Sequence, residues 1–260
     1  MVTAWDWFEY YRPAALSVWH GGTPYDTTIY FAAPWSTYPL IPIALLPYEI
    51  GRWLLFLTAI IAFATIAYKL GAKPLTMAFF LLSYPVLADV TNGNIEWMPM
   101  LGFIMPPQIG LIFVLIKPQT GIGVAIYWFV RAWQEGGIRQ VAKTFAPLTV
   151  MLLLSFVLYG FWPLLFLNTL TMAKEIKSAN AIDYNFSLFP WGLLIGLPLL
   201  VKAIRDREKR LSIMSSPFLA PYALITTYGT SMLAWIDKPV FFFIAWLLTW
   251  IPFLWKLFTT

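Results

Sequence analysis

Residues 52–69 read RWLLFLTAIIAFATIAYK, a run of sixteen uncharged residues bounded by Arg52 and Lys69. An α-helix needs about 20 mostly apolar residues to cross the hydrocarbon core of a bilayer. Six further apolar segments lie near residues 75–88, 97–130, 146–166, 188–203, 217–235 and 240–256. Because lipid offers no hydrogen bonds, each crossing has to satisfy its own backbone groups as a helix. The pattern predicts an all-α polytopic membrane protein with about seven transmembrane crossings.

The composition excludes an ordinary soluble globule. Hydrophobic residues make up 60% of the 260 and charged residues 11%, whereas soluble domains average about 45–50% and about 25%. The mean hydropathy is +0.72. Fourteen Trp and thirteen Tyr are typical of a chain with many membrane–water boundaries. With no cysteine and one histidine, the chain offers no disulfide, thiolate or His-rich metal site, and we expect neither a metal nor a cofactor.

Several of the apolar segments are interrupted or short. The segment 97–130 is too long for one helix and contains Pro106–Pro107 and Lys117–Pro118. Irregular backbone at membrane depth survives only where protein or water satisfies its polar groups. We therefore predict broken or re-entrant helices, with 97–130 forming one crossing from a short re-entrant piece and a longer helix.

The charges predict an orientation. Loops assigned to one side by alternation hold eleven Lys and Arg against three acids, a net charge of +8, and the loops of the other side have a net charge of −4. By the positive-inside rule the first side is cytoplasmic, so we expect an external N-terminus and a cytoplasmic C-terminus, in the plasma (inner) membrane of a prokaryote. This assignment places Arg210 inside and Asp237 outside. The overall +5 then reflects orientation, and we expect no nucleic-acid partner.

The first 50 residues differ from the rest. They are too polar and aromatic for a span and are predicted to lie at the external interface as short amphipathic helices and turns, followed by a transmembrane helical domain over residues 51–260. No span precedes this segment. We expect either that the following helices translocate it, or that an upstream helix is missing and is supplied by a partner subunit.

Motifs in this segment resemble a known family. The first motif is an Asp before a Tyr pair, Asp6 with Tyr10 and Tyr11. The second is a short turn at residues 22–26 (GTPYD), and the third is the entry into the next helix at residues 38–40 (YPL). Their order resembles the first external loop of the GT-C glycosyltransferases, and most closely the polyprenol-phosphate-mannose-dependent integral membrane mannosyltransferases. Asn92–Gly93–Asn94 resembles the N-G-Q of that branch, and Lys117–Pro118 its K-P. The similarity covers roughly residues 5 to 130.

The resemblance implies an activity. It implies transfer of a sugar, mannose in that branch, from a polyprenyl-phosphate donor to an external lipid or glycan acceptor, with Asp6 as catalytic base. Such a reaction needs a base for the acceptor hydroxyl and cations for the departing phosphate. The candidate substrate-binding residues are Lys117, Arg12, Asp26, Asn92, Asn94, Tyr10 and Tyr11.

Each candidate also has a structural explanation. Asp6 can cap a helix or lie in solvent. Lys117 is costly inside an apolar run and either meets a lipid phosphate, snorkels, or pairs with a carboxylate such as Glu96. Arg12 can bind headgroups at the rim, and Asp26 can stabilise its own turn.

Other acids are weaker candidates. Asp89 and Glu96 flank the Asn92–Asn94 motif and are interpreted as solvated loop acids, with sugar contact as the alternative. Asp183 and Tyr184, in an external loop over 167–187, are candidates for a lid. Alternatively, the whole chain is a non-catalytic subunit of a larger membrane complex derived from such an enzyme.

Overall fold

The computed structural model describes residues 4–27, 30–167 and 185–259, and every regular element in those ranges is a helix. A π-helix, Trp7–Tyr11, leads into the first α-helix. The α-helices are α1 Arg12–Trp19, α2 Ile41–Ala44, α3 Tyr48–Lys69, α4 Pro74–Leu81, α5 Tyr84–Asn92, α6 Trp97–Leu101, α7 Pro107–Val114, α8 Pro118–Tyr159, α9 Leu193–Asp206, α10 Lys209–Leu219, α11 Gly229–Ala234 and α12 Pro239–Thr259. Short 3₁₀ turns connect some of them: Pro24–Asp26, Pro34–Leu40, Gly102–Ile104 and Ile225–Tyr228. The all-α class is confirmed over these ranges.

Within the described ranges, two helices are long and apolar enough to cross a membrane, α3 with 22 residues and α8 with 42. A third span results if α4 and α5, which meet at an angle of 51°, are counted together. These findings are consistent with a membrane protein, but they do not support seven crossings. Several of the predicted spans break where proline interrupts the helical hydrogen bonds. The interruptions at Pro106–Pro107 and Lys117–Pro118 are present, and α6 and α7 on either side of the first have only five and eight residues.

Helix α8 folds back on itself in the middle. Gly136 and Gly137 have non-helical backbone angles, and Gly137 has a φ of +58°. The rings of Phe129 and Phe145 lie 5.9 Å apart, although sixteen residues of straight helix would separate them by about 24 Å. Residues 118–135 and 138–159 are therefore the two arms of a helical hairpin, and the turn needs glycine because few other residues adopt positive φ.

The predicted crossing between Arg210 and Asp237 is wrong. Arg210 forms an ion pair with Asp237, and the neighbouring Lys238 lies 3.7 Å from Glu208. Arg210 also donates a hydrogen bond to the Leu70 carbonyl at 2.7 Å, so all of these residues share the end of the molecule where α3 finishes. The intervening helices α10 and α11 have only eleven and six residues, too few for a full crossing each.

The C-terminal helix consequently runs in the direction opposite to the one predicted. Helix α12 starts beside Asp237 and packs along α4 and α5, with ring contacts from Phe79 to Phe243 at 5.0 Å and from Tyr84 to Trp250 at 5.7 Å. It thus advances from the Leu70 end toward the end where α5 finishes. The expectation that the two termini lie on opposite sides is not supported.

The N-terminal segment forms the short helices and turns that its composition predicts, and it packs tightly onto the helical body. Trp7 and Leu40 are fully buried, in the same hydrophobic cluster as Phe63 and Ile66 of α3. Burying such side chains contributes roughly 1.5–3 kcal/mol each. This packing holds the π-helix, and Asp6 just before it, against the loop that follows α5.

Candidate functional site

The π-helix brings Asp6 and Tyr11 to one partner. Its hydrogen bonds join residues five apart, as in the bond from the Arg12 amide to the Trp7 carbonyl, so residues five apart lie about one turn apart. Asp6 Oδ2 accepts a hydrogen bond from Asn94 Nδ2 at 2.6 Å, and the Tyr11 hydroxyl donates to Asn94 Oδ1 at 3.2 Å. π-Helical turns are frequent at functional sites, because the wider turn changes the direction in which side chains point.

Glycine makes this approach possible. Gly93 ends α5 with a φ of +67°, in the left-handed region that favours glycine. A Cβ at this position would lie 2.6 Å from the Cβ of Trp7, well inside van der Waals contact. Gly93 therefore both turns the chain into Asn94 and leaves room for the π-helix.

The carboxamide of Asn94 is the centre of the site. Besides the bond from Tyr11, its Oδ1 accepts hydrogen bonds from Lys117 Nζ at 2.6 Å and from the Ile95 amide at 2.6 Å. Lysine only donates, so the oxygen has to face Lys117, and the amide nitrogen is left to face Asp6. The side chain thus joins three separate parts of the chain through one rigid group.

A second layer lies beneath Asn94. Lys117 Nζ also donates to Glu96 Oε1 at 3.1 Å, and the ammonium sits 5.7 Å from the centre of the Tyr11 ring. The other oxygen of Glu96 accepts from Thr120 at 2.5 Å, and the Glu96 amide donates to Asp89 Oδ1 at 3.1 Å. Lys117 and Glu96 are at most 1% exposed, so this pair is shielded from water.

The charges in this layer do not balance. In the part of the chain that the structure describes, Lys117 is the cation that acts on Asp6, Asp89 and Glu96, and Asp89 Oδ2 is buried without a hydrogen-bond partner. Burial raises the pKa of Asp6 to about 6, against opposing effects of Lys117 and the Asn94 hydrogen bond. A carboxyl with this pKa is mostly ionised at neutral pH and remains basic enough to accept a proton.

The remaining candidates lie around this cluster or away from it. Arg12 begins α1 and is half-buried, and its Nε is buried with no hydrogen-bond partner in the described ranges. Tyr10 is half-buried and Asn92 is exposed. Asp26 accepts hydrogen bonds from the Thr23 amide at 2.6 Å and the Thr23 hydroxyl at 2.8 Å, which stabilise its own turn. The structural explanation of Asp26 is therefore the one observed.

The acids beside the Asn92–Asn94 motif are buried. The pairing of Lys117 with Glu96 is present, whereas the interpretation of Asp89 and Glu96 as solvated loop acids is wrong, because both are fully buried. Thr120 and Thr227, which both hydrogen-bond to Glu96, were not anticipated, since nothing in a lone threonine marks its partner. The apolar residues that flank Glu96 in the sequence indicated that this acid is buried and needs partners. Asp183 and Tyr184 lie outside the described residues.

In the described parts of the chain, no group of three or more His, Asp or Glu side chains is placed to hold a metal ion. Comparisons with protein-family models, curated proteins and solved structures give no match to this chain. The observations therefore define a class: an all-α protein with apolar helices suited to a membrane and a buried, charged hydrogen-bond network built around Asn94.

Proposed function

We propose that this chain is a membrane glycosyltransferase that moves a sugar, mannose in the closest resembling branch, from a polyprenyl phosphate to an external lipid or glycan acceptor. One observation carries the proposal. Asp6, Asn94 and Lys117, picked out separately by their motifs, meet in a single hydrogen-bond network, although 88 and 23 residues separate the bonded pairs. A chance likeness of three short motifs has no reason to bring them together.

Asp6 serves as the base. It accepts the proton of the acceptor hydroxyl while the hydroxyl oxygen bonds to the anomeric carbon, and the bond from that carbon to the phosphate oxygen breaks. The polyprenyl phosphate leaves with the electron pair, and the configuration at the anomeric carbon inverts. A pKa of about 6 keeps Asp6 deprotonated at neutral pH, and the hydrogen bond from Asn94 holds one carboxylate oxygen, leaving the other for the proton.

Arg12 is the better candidate for the departing phosphate. Its guanidinium has a buried N–H with no partner among the described residues, which a phosphate oxygen would satisfy, and it lies within two turns of Asp6 on one continuous helical segment. Lys117 already donates to Asn94 and Glu96. A direct role for Lys117 on the phosphate, predicted from the sequence, would require that pair to open, so we assign Lys117 to orienting Asn94. Tyr10 and Asn92 are proposed to contact the sugar or acceptor.

We also propose an orientation in a prokaryotic plasma membrane. The Arg131 and Arg210 end, where the basic loops gather, is cytoplasmic by the positive-inside rule. The Asp6 end is then external, where a lipid-linked sugar would be used. The arms of the α8 hairpin cross the bilayer between these ends, and α12 returns the C-terminus to the external side.

The test is transfer of radiolabelled mannose from polyprenyl phosphate in vesicles containing the purified chain. Asp6→Asn retains the shape of the side chain and an oxygen for the Asn94 bond but cannot accept the proton. We expect transfer to fall at least about a hundredfold, the usual scale of a general base. Glu9→Gln, on the same π-helix, is the matched control and should retain activity. Full activity of Asp6→Asn would exclude the proposed base.

A second function is favoured by the buried ion pair between Lys117 and Glu96. Lys117 and Glu96 satisfy each other inside the protein, as they would in a non-catalytic subunit that uses them only for stability. Such a subunit would gain stability or activity only with a partner, including one that supplies a further helix. If the purified chain alone transfers mannose, this second function is excluded.

A further inference from the structure

A cleft of about 410 Å³ opens at the far end of the 118–135 arm, away from Asn94. Arg131 of the cleft lies fourteen residues beyond Lys117, which corresponds to about 21 Å along a helix. The distance is most of the thickness of a bilayer core. The cleft and the Asp6 network therefore belong to opposite ends of the protein, and the proposed transfer reaction does not use the cleft.

The cleft contains two cations. Its lining includes Gln108, Trp128, Arg131, Glu135, Thr144 and Lys209. Arg131 donates to Glu135 at 2.5 Å and to Gln134 at 3.3 Å, which leaves several of its five N–H groups for a ligand. The pair is with a half-exposed carboxylate, so it is weak and exchangeable.

Lys209 is the more unusual cation. Its ammonium donates to the carbonyl of Phe103 at 2.8 Å, and no carboxylate of the described residues lies within 4.0 Å of it. Burial, and then the neighbouring Arg210, lower the pKa of Lys209, so its positive charge is held at a cost. An anion in the cleft would relieve that cost.

Exposed apolar side chains lie on both arms next to the hairpin turn, at the level of the cleft along the helix axis. Phe129, Trp133 and Ile138, on the two arms next to the hairpin turn, are 46%, 55% and 71% exposed. Aromatic and aliphatic side chains beside Arg and Lys at the end of a spanning helix are typical of the level of the lipid headgroups. Acyl chains lying along these side chains would deliver a headgroup to the cleft.

We propose that the cleft between α8 and α10 binds a phosphate group, supplied by the headgroup of an anionic lipid. The phosphate oxygens accept hydrogen bonds from Arg131 and Lys209, and the side chains of Gln108 and Thr144, which also line the cleft, are neutral donors. Glu135 competes with the phosphate for Arg131 and limits the affinity. The site is independent of Asp6 and of glycosyl transfer.

The experiment measures the affinity of the purified full chain for fluorescent phosphatidylglycerol, with fluorescent phosphatidylcholine as the zwitterionic comparison. Arg131→Gln and Lys209→Gln should each weaken phosphatidylglycerol binding about tenfold, the scale of one charge-assisted hydrogen bond. Arg139→Gln, an exposed cation that does not line the cleft, is the matched control and should bind as the wild type does. Glu135→Gln should strengthen binding by about threefold, since it removes a like charge a few ångströms from the phosphate.

A folding defect cannot produce stronger binding, so the effect of Glu135→Gln separates a lost binding site from a misfolded variant. A second arm uses inorganic phosphate with the same variants. Competition by inorganic phosphate that is lost in Lys209→Gln would support the cleft and show that it also accepts soluble phosphate. If the two cleft variants and Arg139→Gln weaken binding equally, the attraction is general surface charge and the proposal fails. It also fails if Glu135→Gln leaves the affinity unchanged.

Discussion

Replacement of Lys117 by methionine should destabilise the protein far more than replacement of Glu96 by glutamine. Methionine fills similar volume but removes the cation that, among the described residues, faces Asp6, Asp89 and Glu96. Breaking a buried ion pair by removing one partner costs about 3–5 kcal/mol, because the remaining charge is left uncompensated. Here three carboxyl groups are left together, so we expect the cost of Lys117→Met to lie at the upper end.

The reverse substitution is milder. Glu96→Gln keeps one acceptor oxygen for Lys117, its NH2 group can donate to the Thr120 hydroxyl, and it reduces the excess of carboxyl groups around the lysine. We expect a cost of about 1–2 kcal/mol, the scale of weakened charge-assisted hydrogen bonds. The double variant Lys117→Met/Glu96→Gln should be more stable than the sum of the single effects predicts, since it removes both members of the ion pair and leaves neither charge unpaired.

The assay is unfolding in mixed micelles at increasing mole fractions of sodium dodecyl sulfate, followed by far-ultraviolet circular dichroism. Lys143→Met, at an exposed cation, is the control and should change stability by less than about 0.5 kcal/mol. The penalty of Lys117→Met should shrink near pH 5, where Asp6 becomes protonated. Equal losses of unfolding free energy in the two single variants, or additive losses in the double variant, would show that Lys117 does not compensate the surrounding carboxyl groups.

Further predictions concern the same region. Transfer activity should rise with pH through a midpoint of about 6, since Asp6 acts only when ionised, and a pH–rate profile checks this. Asn94→Ala removes a hydrogen bond that lowers the pKa of Asp6, so the midpoint should move to higher pH in the same assay. Stability should fall as pH rises from about 4 to about 6, because the folded state holds the Asp6 proton more tightly than the unfolded chain, in which the pKa of Asp6 is 3.8. Asp6→Asn should reduce this dependence of stability on pH, measured by micelle unfolding at several pH values. Gly93→Ala should lower stability by at least about 2 kcal/mol, through a positive φ and a clash with Trp7, whereas Gly21→Ala, also at positive φ but with no atom nearby, should cost less in thermal unfolding.

Hydropathy predicted the helical class, but it could not predict which apolar stretches remain unbroken. The stretch near 217–235 is apolar enough for a span, yet α10 ends at Leu219, just before Pro221, and the stretch folds into short pieces beside Arg210. Apolarity reports only that a segment avoids water. Whether it crosses the bilayer or packs inside a bundle depends on contacts with distant residues.

The candidate site was partly predictable for a similar reason. Lys117 stood out because a lysine in an apolar run requires a partner, and Glu96 was named as one. Asp89 was misjudged, because its burial depends on how α5 meets the rest of the bundle. The π-helix that turns Asp6 and Tyr11 toward Asn94 leaves no sequence signal either, since its residues are ordinary helix formers with aromatic side chains.

The central claim is that Asp6 acts on a sugar carried by a lipid phosphate. The most direct measurement is a cryo-electron microscopy map of the full chain in lipid nanodiscs with a non-hydrolysable analogue of polyprenyl-phosphate mannose. We expect the sugar to lie beside the free oxygen of Asp6 and the phosphate at Arg12, with the hydrogen bond from Asn94 to Asp6 retained. An analogue bound elsewhere, with the surface above Asp6 empty, would contradict it.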